Sequence, residues 1–331
     1  MVKADSYKNG GRRMMKFRAI YDLAIEVGIH HDPRGEAEIE KVLEKKNKQY
    51  EDMKDDEKEF FDADELTNPY SDTRMLTGDP DTEINGLIAG IDMETQEIVL
   101  ADRLREKGEK IDLVLAHHPE GKALAALADV MAMQADIWAK YGVPINIGDD
   151  LIGERMTEVR RGLMPINHNR AVDAARLLGF CFMNSHTPCD NLVMDFVQRY
   201  LDEKAPSTMG DIIKALREIP EYKDAALNNS GPAIVAGDSS KRPGKVVVDM
   251  TGGTEGPEAA MERLADAGVG TIVGMHFSEK LRKKASENHM NLIVAGHIAS
   301  DAIGMNLFLD KLENNGVTVL TTSGLVRVKR S

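Results

Sequence analysis

The chain has 331 residues, of which 42% are hydrophobic and 5% aromatic, and its 42 Lys and Arg stand against 55 Asp and Glu, for a formal charge of −13. That length supports a substantial core in one large or two medium units, while the negative balance argues against nonspecific nucleic-acid binding and against docking on an anionic membrane. Only Cys181 and Cys189 are cysteines, no apolar segment follows the basic opening residues, and no apolar run reaches the roughly 18 residues of a membrane span. A cytoplasmic protein is expected.

In chain order, residues 1–80 form an expected N-terminal helical extension and loop. Residues 36–61 are densely charged with sparse apolar positions and predict one or two solvent-rich helices; residues 66–81, with two prolines, Gly78 and many polar side chains, predict a loop. From Ile84 strands and helices alternate. Strands are predicted at 85–92, 112–116 and 179–185, with helices at 95–107, about 120–140, 149–161 and 168–178 between them. Helices at 191–203 and 209–218 follow. The theme restarts with strands at 245–250, 271–275, 291–295 and 317–322, and helices at 256–268, 279–288 and 299–314. This order predicts an α/β fold of two similar halves, each a sandwich with a partly parallel sheet. The expected division is 1–80, a first half at 81–195, a helical connector at 196–244 and a second half at 245–331. Arg103-Leu104 and Gly108 recur as Arg263-Leu264 and Gly268, which supports an internal repeat.

Three segments end in side chains that bind divalent metal where a strand should stop. Asp112–Pro119 runs through a buried strand into His117-His118-Pro119. Neighbouring side chains of a strand face opposite ways, so the two histidines share a site only where the strand ends, and Pro119 supplies that stop. Asn291–Asp301 reads as a near copy: aliphatic residues, then His297, with Asp301 four positions on and on the same face of a first helical turn. The match predicts that these two strands are equivalent and deliver histidines to a metal site at the seam of the halves. Ser185–Asp190 supplies Asp190, whose plain alternative is a helix cap, and His186, expected to orient a ligand or face substrate. Cys189 reads as a small packing residue. His30-His31, after a helix-like stretch with no partner strand, is expected to lie away from the site.

His117, His118, Asp190, His297 and Asp301, with no thiolate among them, suit first-row divalent ions such as Zn, Fe, Mn or Co. Two ions sharing a carboxylate fit five ligands better than one. Thr251–Gly256 joins a strand to a predicted helix; Gly252, Gly253 and Thr254 are candidates for holding an anion with backbone amides, or form a plain turn. His276 ends the strand that the repeat pairs with residues 113–116, and Glu279 follows; His186 and His276 are candidate proton carriers.

These motifs resemble the dinuclear-metal-centre, toroidal-hexamer family named for a yeast Ngg-interacting factor and also labelled type 2 GTP cyclohydrolase I. The resemblance runs from about residue 84 to about 325. It matches strand and His-His-Pro to Leu113–Pro119, His-Thr-x-x-Asp to His186–Asp190, a glycine-rich turn to Thr251–Gly256, and Gly-His-x-x-[Ser/Thr]-Glu to Gly296–Asp301. It implies the same five metal ligands, two ions and a closed homo-oligomer, a hexamer in the family. Two departures stand out: Pro188-Cys189 replaces the usual Asn-Leu, and Asp301 replaces a Glu, shortening the reach by roughly 1.5 Å. The expected function is a metal-dependent hydrolase acting on a nucleotide or phosphorylated small molecule; the alternative is a non-enzymatic metal-binding or regulatory scaffold.

Overall fold

The structure is a computed structural model that describes residues 8–9, 12–13 and 15–330. Part of the opening segment read as lacking an apolar leader, residues 1–7, lies outside the described residues.

Short aliphatic runs bounded by Gly and polar residues make most strands, and these gather into two main sheets, beside two two-stranded pairings, Lys8–Asn9 with Arg12–Arg13 and Met15–Lys16 with Glu83–Ile84. The first has the order Thr318–Thr321, Gly86–Gly90, Leu113–Ala116, Cys181–Asn184, Met75–Thr77, all parallel except the last. The second has the order Lys245–Asp249, Val269–Gly274, Asn291–Val294, Ala233–Ala236, again with only the last antiparallel. Each half therefore lays down an antiparallel edge strand first and then three parallel strands that end beside it. Side chains alternate as a pleat requires. Leu113 and Leu115 enter the central core, whereas Val114 and Ala116 join Ile98, Ala101, Ala171 and Ala175 under the outer helices Thr95–Glu106 and Arg170–Leu178. In the second sheet Val248, Val273 and Ile293 face the centre, and Val247, Ile272 and Leu292 face outward towards Trp138 and Leu281.

Between the sheets run three helices, Phe17–His30, Thr187–Lys204 and His297–Asn314. Their apolar residues fill the space that both inner faces need covered, which gives five alternating layers.

Several expectations change. The two best-matched sequence segments are not equivalent strands. Leu113–Ala116 is the middle parallel strand of its half and corresponds to Val269–Gly274, while Asn291–Val294 corresponds to Cys181–Asn184. Both of the latter feed an 18-residue central helix, so the true repeat pairs His186 and Asp190 with His297 and Asp301, each pair four residues apart. The Leu-rich pattern misled because any buried parallel strand is aliphatic throughout. The pairing of His276 with the end of the 113–116 strand agrees with the topology. Residues 66–81 are not wholly loop, since Met75–Thr77 is the first sheet's edge, and the stretch at 196–244 contributes Ala233–Ala236 to the second sheet. The helix expected at 120–140 is three pieces, Gly121–Ala125, Leu127–Val130 and Met133–Tyr141. Helix Glu36–Asp52 is solvent-rich as expected, with only Ile39 buried, but Phe17–His30 belongs to the core.

Candidate metal centre

The parallel strands of both sheets end at one place between the halves, the position where open α/β sheets present their functional side chains. Backbone pairing continues one step past the strand of residues 113–116: His117 N–H donates to the Gly90 carbonyl and His118 N–H to that of Ile91. The chain then turns at Pro119, and the two imidazoles lie with ring centres 5.3 Å apart. Asp190 comes from the first turn of one central helix, where unpaired amides favour a carboxylate, and Asp301 comes from just past the first turn of the other. Neither caps its helix. His186 and Gly296 occupy the cap positions, so the plain reading of both aspartates fails.

The structure brings all five sequence-predicted ligands together. His117 Nε2 lies 3.3 Å from Asp190 Oδ1 and 3.5 Å from Asp301 Oδ1. On the other side of the same carboxylate, Asp301 Oδ2 lies 3.5 Å from His118 Nε2 and 3.6 Å from His297 Nε2. Two groups thus share Asp301: His117 with Asp190, and His118 with His297. His186 joins His117 and His118 in a third group, with its Nε2 3.8 Å from Asp190 Oδ2.

What surrounds these rings fixes which nitrogen faces inward. His117 Nδ1 donates to the Ser185 carbonyl at 3.1 Å, His118 Nδ1 meets Asp92 Oδ1 at 2.6 Å, and His186 Nδ1 meets Asp72 Oδ2 at 2.7 Å. Those partners accept, so each Nδ1 carries hydrogen and each Nε2 is turned to the centre. There His117 Nε2, Asp190 Oδ1 and both Asp301 oxygens are buried without a hydrogen-bond partner. Buried polar atoms seldom stay unsatisfied, and an inward ring of imidazole nitrogen and carboxylate oxygen is the donor set of a divalent ion. The residues present fit such an ion.

The metal-free charges follow. Burial opposes protonation of His117, yet Asp301 and Asp190 overcome it and hold its pKa well above the ordinary value. His118 is likewise disfavoured by burial but pushed up to about 9 by Asp301 and Asp92. Burial raises Asp301 and the surrounding imidazoles, His117 foremost, outweigh it, so its carboxyl sits far below the carboxylate range. Burial depresses His297.

Asp72 and Asp92 are site residues that sequence reasoning missed. Asp92 had a signal, since it ends a predicted strand as the ligands do. Asp72 had none: it sits in a segment read as loop, is fully buried, and accepts from Thr187 Oγ at 2.7 Å as well as meeting His186.

A cavity of about 310 Å³ opens from His118, His186, Asp190 and His297 towards the Thr251–Gly256 turn. Gly252 and Gly253 have φ of 91° and 84°, and Gln134 Nε2 donates to the carbonyls of Gly252 and Thr254 at 2.6 and 2.7 Å. The helix expected at residue 256 begins only at Ala260, so no helix N-terminus backs this turn. His276 stands at the exposed mouth, its ring centre 4.9 Å from that of His297 and its Nδ1 3.7 Å from Glu255. Glu279 is instead held by Arg282 on its own helix. His30 and His31 pair with Glu36 and Asp195 and join none of the clusters.

No protein-family model matches the chain, and no curated protein matches it. Solved structures do. A NIF3 superfamily protein from Sphaerobacter thermophilus is 26% identical over 92% of this chain and 97% of its own, with a TM-score of 0.71. HcgD from Methanocaldococcus jannaschii, in its reduced form, is 13% identical over 75% of this chain and 87% of its own, with a TM-score of 0.50, a likeness of fold alone. Shared architecture over nearly the whole of both chains, together with the ordered motifs, gives this protein the NIF3-superfamily fold with a buried His/Asp cluster able to hold metal.

Proposed function

We propose that the chain is a dinuclear metalloprotein and a metal-dependent hydrolase. One observation carries this reading: the buried, unpartnered Nε2 of His117 converges with unpartnered carboxylate oxygens of Asp190 and Asp301, while His117 and His118 spend Nδ1 on other partners. In this reading His117, Asp190 and Asp301 would hold one ion, and His118, His297 and Asp301 would hold the other. Zn, Fe, Mn and Co all suit the donors. When bound, such ions supply Lewis acidity and lower the pKa of water towards about 7.

His186 is positioned to accept or return a proton at Nε2, because Asp72 anchors Nδ1–H and leaves Nε2 on the cavity. His276, at the mouth with Glu255 beside it, is positioned to exchange protons with solvent. Gly253 and Thr254 of the turn line the cavity and Gly252 lies behind them; the Thr254 amide already donates to the Gly252 carbonyl at 3.2 Å, and in this reading the turn holds the substrate. The finer label of a GTP cyclohydrolase fits hydrolysis at a ring carbon, but no Lys or Arg lines the cavity to meet a triphosphate. Assembly into a closed homo-oligomer and residence in the cytoplasm complete the proposal.

Elemental analysis after dialysis tests it. Two equivalents of metal per chain are expected, with Asp301→Ala losing at least one while the fold persists, and with the His30→Ala, His31→Ala double variant keeping both. Full metal content in Asp301→Ala would sink the shared-carboxylate reading. Turnover by the metal-loaded protein separates a hydrolase from a metal-binding scaffold.

A further inference from the structure

The cavity beside the cluster has a charge pattern that the metal reading does not use. Its wall away from the histidines is apolar: Leu124, Leu127, Trp138, Met261, Phe277 and Leu281. Four carboxylates line or adjoin it, and three are accounted for. Asp190 and Asp301 belong to the cluster, and Glu255 accepts from the Ser278 amide at 2.8 Å and faces His276. Asp249 remains. It ends the strand Lys245–Asp249, on the face that Val247 also presents to the outer helices. It is half-buried and lines the cavity, and among the described residues its carboxylate accepts no hydrogen bond. Burial pushes its pKa up to about 6, with only His276 opposing.

The cations nearby are already used. Arg155 donates to the Glu255 carbonyl at 3.0 Å and pairs with Glu158. Lys245 lies over the Tyr141 ring and donates to that residue's carbonyl. The half-buried Asp249 carboxylate is free to accept from a ligand, and no Lys or Arg lines the wall to receive an anionic one.

We propose that Asp249 is a specificity-determining residue and that the cavity takes a compact neutral or cationic substrate with an apolar, planar body and paired N–H donors of amidine or amino-heterocycle type. The carboxylate receives the N–H pair in a two-point contact, and Trp138 and Phe277 cover the body. The volume is at the lower end of the roughly 300–1,000 Å³ typical of small-ligand pockets, so the molecule is small. This deepens the hydrolase reading and rests on it for where the reacting bond lies.

Calorimetric titration of the metal-loaded full chain at pH 7.5 tests the proposal. The probes are benzamidine, a cationic amidine and a poor metal ligand, and benzamide, its neutral near-isostere. Benzamidine is expected to bind at least fivefold more tightly than benzamide, and Asp249→Asn to weaken benzamidine at least tenfold with metal content unchanged. Equal affinity of Asp249→Asn and the parent chain for benzamidine overturns the proposal. So does benzamide binding as tightly as benzamidine to the parent chain, a comparison that needs no variant. Elemental analysis of the same samples keeps the two readings apart. Loss of metal with benzamidine binding retained removes the dinuclear reading alone; two metals with benzamidine indifferent to Asp249 removes this one alone.

Discussion

At the scale of single residues, Asp301 concentrates the chemistry. It is fully buried, and its two oxygens face three imidazole nitrogens at 3.5 to 3.6 Å. In the metal-free protein this arrangement stores a pH dependence. His117 and His118 have folded pKa values above the ordinary 6.5, so their contribution to stability is fully present below that pH and is lost as pH rises through about 9. Asp301 is depressed, so its contribution is present above the ordinary 3.8 and is lost as pH falls. His297, lowered by burial, works against the folded state only below 6.5. The melting temperature of chelator-stripped protein should therefore fall between pH 6.5 and 9.5, and metal-loaded protein should not show that fall, since bound ions replace the protons. Calorimetric scans at stepped pH check this; parallel curves for the two forms would deny that the histidines carry protons when metal is absent. The same arrangement argues that Asp301→Glu lowers metal content, because a carboxylate roughly 1.5 Å further along its side chain is displaced from the positions that His117, His118 and His297 now face. Higher occupancy in that variant would show that the site was under-filled with Asp.

At the scale of elements, the short carboxylate reaches its partners because its helix sits unusually close to its neighbour. A Cβ on Gly304 would lie 2.2 Å from the Cys189 carbonyl oxygen, so glycine allows the helix bearing Asp301 to press onto the helix bearing Asp190. Cys189 itself is small and buried between Ser185 Oγ and Met305 Sδ. The two departures from the resembled family, Pro188-Cys189 and Asp301, thus meet at one helix contact. Gly304→Ala should force the helices apart, destabilise the fold by about 1–3 kcal/mol as overpacking does, and lower metal content with it. Denaturant midpoints and elemental analysis on the same preparation check both parts; unchanged values for both would mean that the contact does not set the reach.

At the scale of the whole molecule, the two central helices from opposite halves carry matching His and Asp pairs to one point, so neither half holds the cluster alone. Among the described residues no helix is long and apolar enough to cross a membrane. The closed ring implied by the motif resemblance predicts that light scattering at micromolar concentrations reports several times the mass of one chain. A single-chain mass across that range would refute the assembly.

The sequence by itself determined the α/β class and the alternation of elements, and it singled out five polar side chains at or just past strand ends, because those are local properties. Period-two and period-3.6 burial, a Pro after two histidines, and a Gly before His297 are all written in adjacent residues. Only the tertiary structure decided which strand matches which. Aliphatic strands such as 113–116 and 291–294 look alike locally, whereas sheet order depends on contacts between distant segments. It also decided that Asp72, 114 positions from His186, anchors that ring, and that Asp249 is left unpaired in the cavity. A partner far along the chain leaves no spacing to read. Proximity of that kind exists only once both sheets have closed over the central helices.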